Sequence, residues 1–211
     1  MSASLKELIR SGESNRVEFK KTISQLEKIA RTLVAFANSR GGHILLGIQD
    51  DGSVSGVGDT EEERYMLEKA ALFYCRPEVT YTLEEEESQG KVVLKIEIPE
   101  STRKPHRCLS ASGEWLLYVR SGDQCILASP LVARSLEMEK EGRDSLMASP
   151  VTNNEKALFG FLDKRKRITL KDYAKLINVS KRRAHKILIG LTLSGKLFMH
   201  DMERTVFFTR A

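Results

Sequence analysis

Between Ile23 and Ala37 apolar residues recur at intervals of three and four, at Ile23, Leu26, Ile29, Ala30, Leu33, Val34 and Ala37, and the pattern stops at Gly41-Gly42 before the stretch HILLGI. That period lines up side chains on one face of a helix, and the paired glycines end it because positive φ costs them little. HILLGI is too short for a helix with a buried face of its own, so it predicts a strand. A helix that runs through two glycines into a strand commits this part of the chain to a mixed fold of helices and sheet.

Neighbouring segments extend the theme. Val17 and Phe19 alternate with Glu18 and Lys20, the period of a strand with one wet face, so residues 16 to 20 are expected as a short strand. Asp51-Gly52 reads as a hairpin turn from HILLGI into SVSGV. Residues 60 to 75 carry a helical pattern closed by Arg76-Pro77, EVTYTLEEEE and KVVLKIEIP flank Ser88-Gln89-Gly90 as a second hairpin, and EWLLYVR supplies another strand. Residues 128 to 140 return to a helix. The class expected here is α+β, a mixed sheet with covering helices.

Charge divides the chain. From residue 151 onward there are 14 Lys and Arg against 5 Asp and Glu, whereas the first 150 residues hold 20 against 24. A basic C-terminal segment attracts polyanions, and an acidic N-terminal part needs its own reason to approach them. At 211 residues the chain exceeds the roughly 100–150 residues usual for one domain, so two are expected. Gly142, Asp144, Ser145, Ser149, Pro150, Asn153 and Asn154 interrupt the periodicity like a connector, which gives a first domain over 1–140, a linker over 141–153 and a second domain over 154–211. No apolar run reaches the roughly 18 residues that cross a bilayer, and Glu7 stands where a signal peptide is apolar; no membrane association and a cytoplasmic location are expected. Cys75, Cys108 and Cys125, odd in number and far apart, fit reduced thiols in that compartment.

The stretches ESNRVEFKK, LVAFANSRGGHILLGIQDDGSVSGV, KPH and LYVRSGD resemble the Schlafen AlbA-like domain over roughly residues 5 to 135. Members of that family are described as DNA-binding. Bacterial members with an added helix-turn-helix module are labelled transcriptional regulators or, through an older name, divergent AAA ATPases. The ATPase label does not fit these residues: no G-x-x-x-x-G-K-[ST] loop is present, and SRGGHILLGI runs from helix to strand, the reverse of the order that cradles phosphates.

Animal members of the family that cut transfer RNA use three acidic residues, and the matching positions here are Glu13, Glu18 and Asp50. The resemblance therefore implies an alternative function, a metal-dependent endoribonuclease in which these carboxylates hold Mg²⁺ or Mn²⁺ while Lys20 steadies the phosphodiester charge. The residues also have a structural reading: Glu18 pairs with Lys20 on a strand surface, Asp50 and Asp51 form the turn before Gly52, and Glu13 flanks the first strand. The structural reading is preferred, and no cofactor is expected outside the nuclease alternative.

The loop ESTRKPHRC presents Arg103, Lys104 and Arg107, with His106, either as a phosphate-contacting rim or as a solvated charged loop. Asn38 and Arg40 either meet phosphate or cap the chain reversal before Gly41. His106-x-Cys108 lacks a close C-x-x-C partner, so no zinc site is expected.

Asn154 is a candidate N-cap for a helix burying Ala157, Leu158, Phe161 and Leu162, and Ile168 suits a short strand. A second helix carries Tyr173, Ala174, Leu176 and Ile177, and Ser180 caps a third through Ala184, Ile187, Leu188 and Leu191. KLFMH and TVFFTR around DMER complete the pattern of a winged helix, in which the third helix enters the major groove N-terminus first. Lys181, Arg182, Arg183, His185 and Lys186 are therefore expected to meet phosphates or base edges, with Arg167 and Arg204 flanking. The function expected is a DNA-binding transcriptional regulator, a homodimer if its operators are twofold, with RNA as target in the nuclease alternative.

Overall fold

A Ser-x-x-Glu capping box sets the first helix. The Ser4 hydroxyl accepts from the Glu7 amide, the Glu7 carboxylate accepts from the Ser4 amide, and α1 (Leu5–Ser11) buries Leu5 and Leu8. The computed structural model describes residues 4–140, 153–193, 196–200 and 206–210, and the chain divides into two units, Met1–Ala128 and Ser129–Ala211.

In the first unit α1 leads to β1 (Val17–Lys20), α2 (Leu26–Asn38), β2 (Gly42–Leu46), α3 (Thr60–Phe73), β3 (Cys75–Arg76), β4 (Thr82–Ser88), β5 (Lys91–Ile98), β6 (Arg107–Leu109), β7 (Trp115–Leu116), β8 (Tyr118–Ser121) and β9 (Gln124–Leu127). The main sheet has the order β1-β2-β5-β4. β1 and β2 pair in parallel with Glu18 opposite Ile44, a pairing that needs the long crossover α2 supplies, and the remaining pairs are antiparallel. β3, β6 and β7 form a second small sheet, and β8 and β9 pair as a hairpin.

Both faces of the main sheet are covered. Ile29, Leu33, Ile44, Leu46, Leu67, Leu94 and Ile96 pack beneath α2 and α3, and on the opposite side Leu5 and Leu8 meet Val17, Phe19, Leu45 and Val93. The wet face expected for β1 therefore does not exist: Val17, Glu18 and Phe19 are all buried. Gly41 has φ +71, and a β-carbon there would lie 2.5 Å from the Ile98 carbonyl oxygen, so the close approach of the α2–β2 turn to the end of β5 requires glycine.

Two expectations change in detail. Asp51-Gly52 does turn the chain, but a single bridge, Ile48 to Val54, follows; the Ser55 and Gly56 amides both donate to the Gly47 carbonyl, and the Val57 amide donates to Val92, which draws the chain onto β5. EWLLYVR is two strands rather than one, because Trp115 and Leu116 pair with β6 while Tyr118 onward pairs with β9.

The second unit contains α4 (Pro130–Lys140), α5 (Asn153–Arg165), β10 (Arg167–Thr169), α6 (Leu170–Leu176), α7 (Lys181–Leu193), β11 (Leu197–His200) and β12 (Phe207–Arg210). β10, β12 and β11 form an antiparallel sheet in that order. Thr169 caps α6 through the Asp172 amide, and the Ser180 hydroxyl accepts from the Arg183 amide at 3.3 Å at the start of α7. Leu158, Leu162, Ile168, Tyr173, Ala184, Leu188 and Phe208 are buried. Asn154 lies inside the first turn of α5 rather than capping it, and Leu176, expected inside, is 41% exposed. Of the linker residues, 141–152 lie outside the described residues, and Asn153 begins α5.

Candidate functional site

The motifs of the first unit meet around the buried guanidinium of Arg120, on β8. Its Nη1 donates to Glu18 Oε2 at 2.7 Å and to Cys125 Sγ at 3.2 Å, its Nη2 donates to the Ser14 carbonyl at 2.5 Å, and the Phe36 ring lies 4.7 Å away. The other oxygen of Glu18 accepts from Lys20 Nζ at 2.7 Å. Glu13 accepts from the Phe19 amide at 2.9 Å; burial, and then the nearby charges of Glu18 and Asp50, push its carboxyl above the ordinary range against that hydrogen bond. Asp50 is exposed.

This geometry brings the three acids into electrostatic range, with one Glu13 oxygen and both Glu18 oxygens already accepting hydrogen bonds. Both Glu18 oxygens hold charge-assisted hydrogen bonds to cations, one of them fully buried. Among the described residues no group of three or more His, Cys, Asp or Glu is arranged to hold a metal ion. Each Glu18 oxygen already accepts from a cation, so a divalent ion there would have only the remaining lone pairs and would sit beside two positive charges.

The KPH loop is likewise held from inside. Lys104 is buried, and its ammonium donates to the Ser39 carbonyl at 3.1 Å and to Glu100 at 2.6 Å, so it does not belong to a phosphate-contacting rim. Asn38, fully buried at the end of α2, neither caps the turn nor faces solvent: its amide group donates to the carbonyls of His106 and Tyr118 and accepts from the His106 amide. Ser39 Oγ accepts from the Arg120 amide. Arg103 stays exposed with a 3.5 Å ion pair to Glu78, and Arg107 is half-buried. The stretches AFANSRGG, KPH and YVRSGD thus bond to one another. Arg120 escaped sequence reasoning, because alternation with Leu117 and Val119 would put it on the opposite, wet face of its strand, whereas it is buried.

His106 is 2% exposed, its Nδ1 lies 2.8 Å from the Pro77 carbonyl and its Nε2 2.6 Å from Ser101 Oγ. The carbonyl accepts only, so Nδ1 carries the proton and Nε2 accepts from the serine. Burial, reinforced by Arg103 and Lys104, holds the imidazole pKa below the ordinary 6.5 despite the bond to Pro77. The unfolded chain then binds a proton that the folded one declines, so this contribution to stability is complete above pH 6.5 and is lost as the pH falls toward the lower folded value. Urea midpoints should decline over that window in the native chain, and the decline should flatten in His106→Asn.

In the second unit Lys181, Arg182 and Arg183 are exposed on the first turn of α7, without ion-pair partners among the described residues. His185 differs from expectation: it is half-buried, its Nε2 is enclosed, and burial followed by the charge of Arg134 lowers its pKa, which makes it a poor contact for a polyanion. Ala184 and Leu188 face the core, and position 185 borders that face. Lys186 is half-buried and engaged, and the Arg167 guanidinium lies 5.4 Å from the Phe207 ring. Arg204 lies outside the described residues. No helix among the described residues is long and apolar enough to cross a membrane.

Comparison with known proteins adds a lineage. The profile of the Schlafen, AlbA_2 family matches residues 13–129. No curated protein matches the chain. Among solved structures, the solution structure of the N-terminal domain of a RecG-related protein from Nitrosomonas europaea is similar at 25% identity and a TM-score of 0.43, over 61% of this chain and 97% of that one. The crystal structure of the DIP2311 protein from Corynebacterium diphtheriae is similar at 19% identity and a TM-score of 0.46, over 71% of this chain but 34% of its own length.

Proposed function

The chain belongs to the Schlafen, AlbA_2 family, and from that membership we propose that it binds nucleic acid, as a DNA-binding transcriptional regulator whose second unit is a winged helix-turn-helix module. The observation that carries this reading is the exposed trio Lys181, Arg182 and Arg183 on the first turn of α7, after a Ser180 cap and a tight turn from α6. In a helix-turn-helix the leading turn of the second helix of the motif approaches base edges and phosphates, and Arg offers the bidentate fork that guanine accepts. Lys181 serves as a backbone contact, and the exposed run Lys164 to Arg167 lies close in sequence as a flank.

The first unit then dimerises, senses a ligand or adds contacts; a dimer matches operators of twofold symmetry. The ribonuclease alternative places Glu13, Glu18 and Asp50 at a metal centre, and the engagement of Glu18 by Arg120 and Lys20 weighs against it. The test is selection of duplexes from a random pool by the full chain, followed by salt titration of the enriched sequence. A specific duplex, bound with a steep salt slope, supports the regulator. Absence of enrichment, with Mn²⁺-dependent cleavage of structured RNA lost in Glu18→Ala and Asp50→Ala, would overturn it in favour of the nuclease.

A further inference from the structure

A cleft of about 340 Å³ opens between the first turns of α2 and the segment that runs from the end of β6, with Tyr118 of β8 in its wall. Its volume lies in the range of small-ligand sites, and it takes no part in the Arg120 network or in the surface of α7. Two cations line it, Lys28 and Arg31, against one carboxylate, Glu27. Neither cation has an ion-pair partner among the described residues, so their charge is unspent. The Arg31 guanidinium lies 5.3 Å from the centroid of the Tyr118 ring, an arrangement that restrains a long side chain in advance and lowers the ordering cost of using its donors. Leu109 and Ala111 supply apolar wall beside these polar groups.

We propose that this cleft binds a phosphomonoester joined to a flat, partly apolar moiety, the chemistry of a nucleotide. Arg31 and Lys28 take the phosphate, Tyr118 with Leu109 and Ala111 receives the flat moiety, and Glu27 accepts from a hydroxyl or amino group of the ligand. Such a group comes either as a free small molecule or as the phosphorylated end of a nucleic-acid strand. The proposal is independent of the DNA-binding reading, because it concerns only residues of the first unit.

Calorimetric titration of the full chain tests it, with adenosine monophosphate, inorganic phosphate, adenosine, and a short single strand carrying either a 5′-phosphate or a 5′-hydroxyl. Adenosine monophosphate is expected to bind at least tenfold more tightly than adenosine. Lys28→Gln combined with Arg31→Gln should weaken that binding tenfold or more while leaving the thermal midpoint in place, and Tyr118→Leu should weaken the nucleotide more than inorganic phosphate. If only the 5′-phosphorylated strand titrates, and does so in a Lys28- and Arg31-dependent manner, the proposal stands with a strand end as the source. No heat with any phosphate-bearing probe at millimolar concentration overturns it. So does binding that survives the double substitution, or equal affinity for adenosine. Arg182→Ala with Arg183→Ala should leave these titrations unchanged, so this site and the duplex-binding reading fail separately.

Discussion

Arg120→Ala is expected to destabilise the first unit by about 3–5 kcal/mol, the range for removing one partner of a buried ion pair and stranding the other. The side chains of Arg120 and Glu18 are 1% and 12% exposed, so little water can replace the lost guanidinium. The substitution also frees the Ser14 carbonyl and opens a space beside Phe36. Trp115, the one tryptophan of the chain, lies in β7 of the same unit and reports its unfolding directly. Urea unfolding followed by its fluorescence should show the midpoint falling sharply for Arg120→Ala. Glu18→Leu with Arg120→Leu should recover part of the loss, because it leaves no fully buried charge, and Lys20, which also loses its partner, is 31% exposed to water. A change below about 1 kcal/mol for the single substitution would mean that solvent reaches Glu18 freely and that the ion pair is a surface pair in energetic terms.

Arg182→Ala combined with Arg183→Ala should weaken duplex binding by the full chain tenfold or more at moderate salt. It should also flatten the dependence of log K on log salt by roughly 2, about one for each phosphate contact removed. If one of the two arginines reads a base instead, the slope changes by roughly 1 and discrimination at one position relaxes. Both side chains are exposed, and the Ser180 cap bonds to the Arg183 backbone, so α7 and the Trp115 transition should be unaffected. Anisotropy titrations at several salt concentrations provide the measurement. Unchanged affinity and slope would remove the proposed role of α7.

Local patterns carried much of the architecture. The three-and-four period of α2, the Gly41-Gly42 stop, the β4–β5 hairpin and the cap at Ser180 each depend on residues within a few positions of one another, and each lies in the structure close to where the pattern puts it, α2 starting at Leu26 rather than Ile23. The Ser4–Glu7 box that starts α1 is equally local. The alternation of β1 was read correctly as a strand and wrongly as half-wet, since alternation reports the strand but not whether a second layer covers it. Here Leu5 and Leu8 of α1 cover Val17 and Phe19, and Arg120 of β8 lies against Glu18 on the other face.

The candidate site shows the same division more sharply. Sequence alone assembled Glu13, Glu18, Asp50, Lys104 and the α7 cations as chemically suggestive charges, and the charge imbalance between the two halves of the chain belongs to composition, independent of folding. Tertiary contacts decided which of those charges are available. Glu18 meets Arg120 across 102 positions and Lys104 meets Ser39 across 65, distances in sequence over which no periodicity carries information. Burial and ion pairing are properties of what comes to lie alongside a residue, and for these side chains the neighbours arrive only when β8 and the KPH loop close over the end of α2.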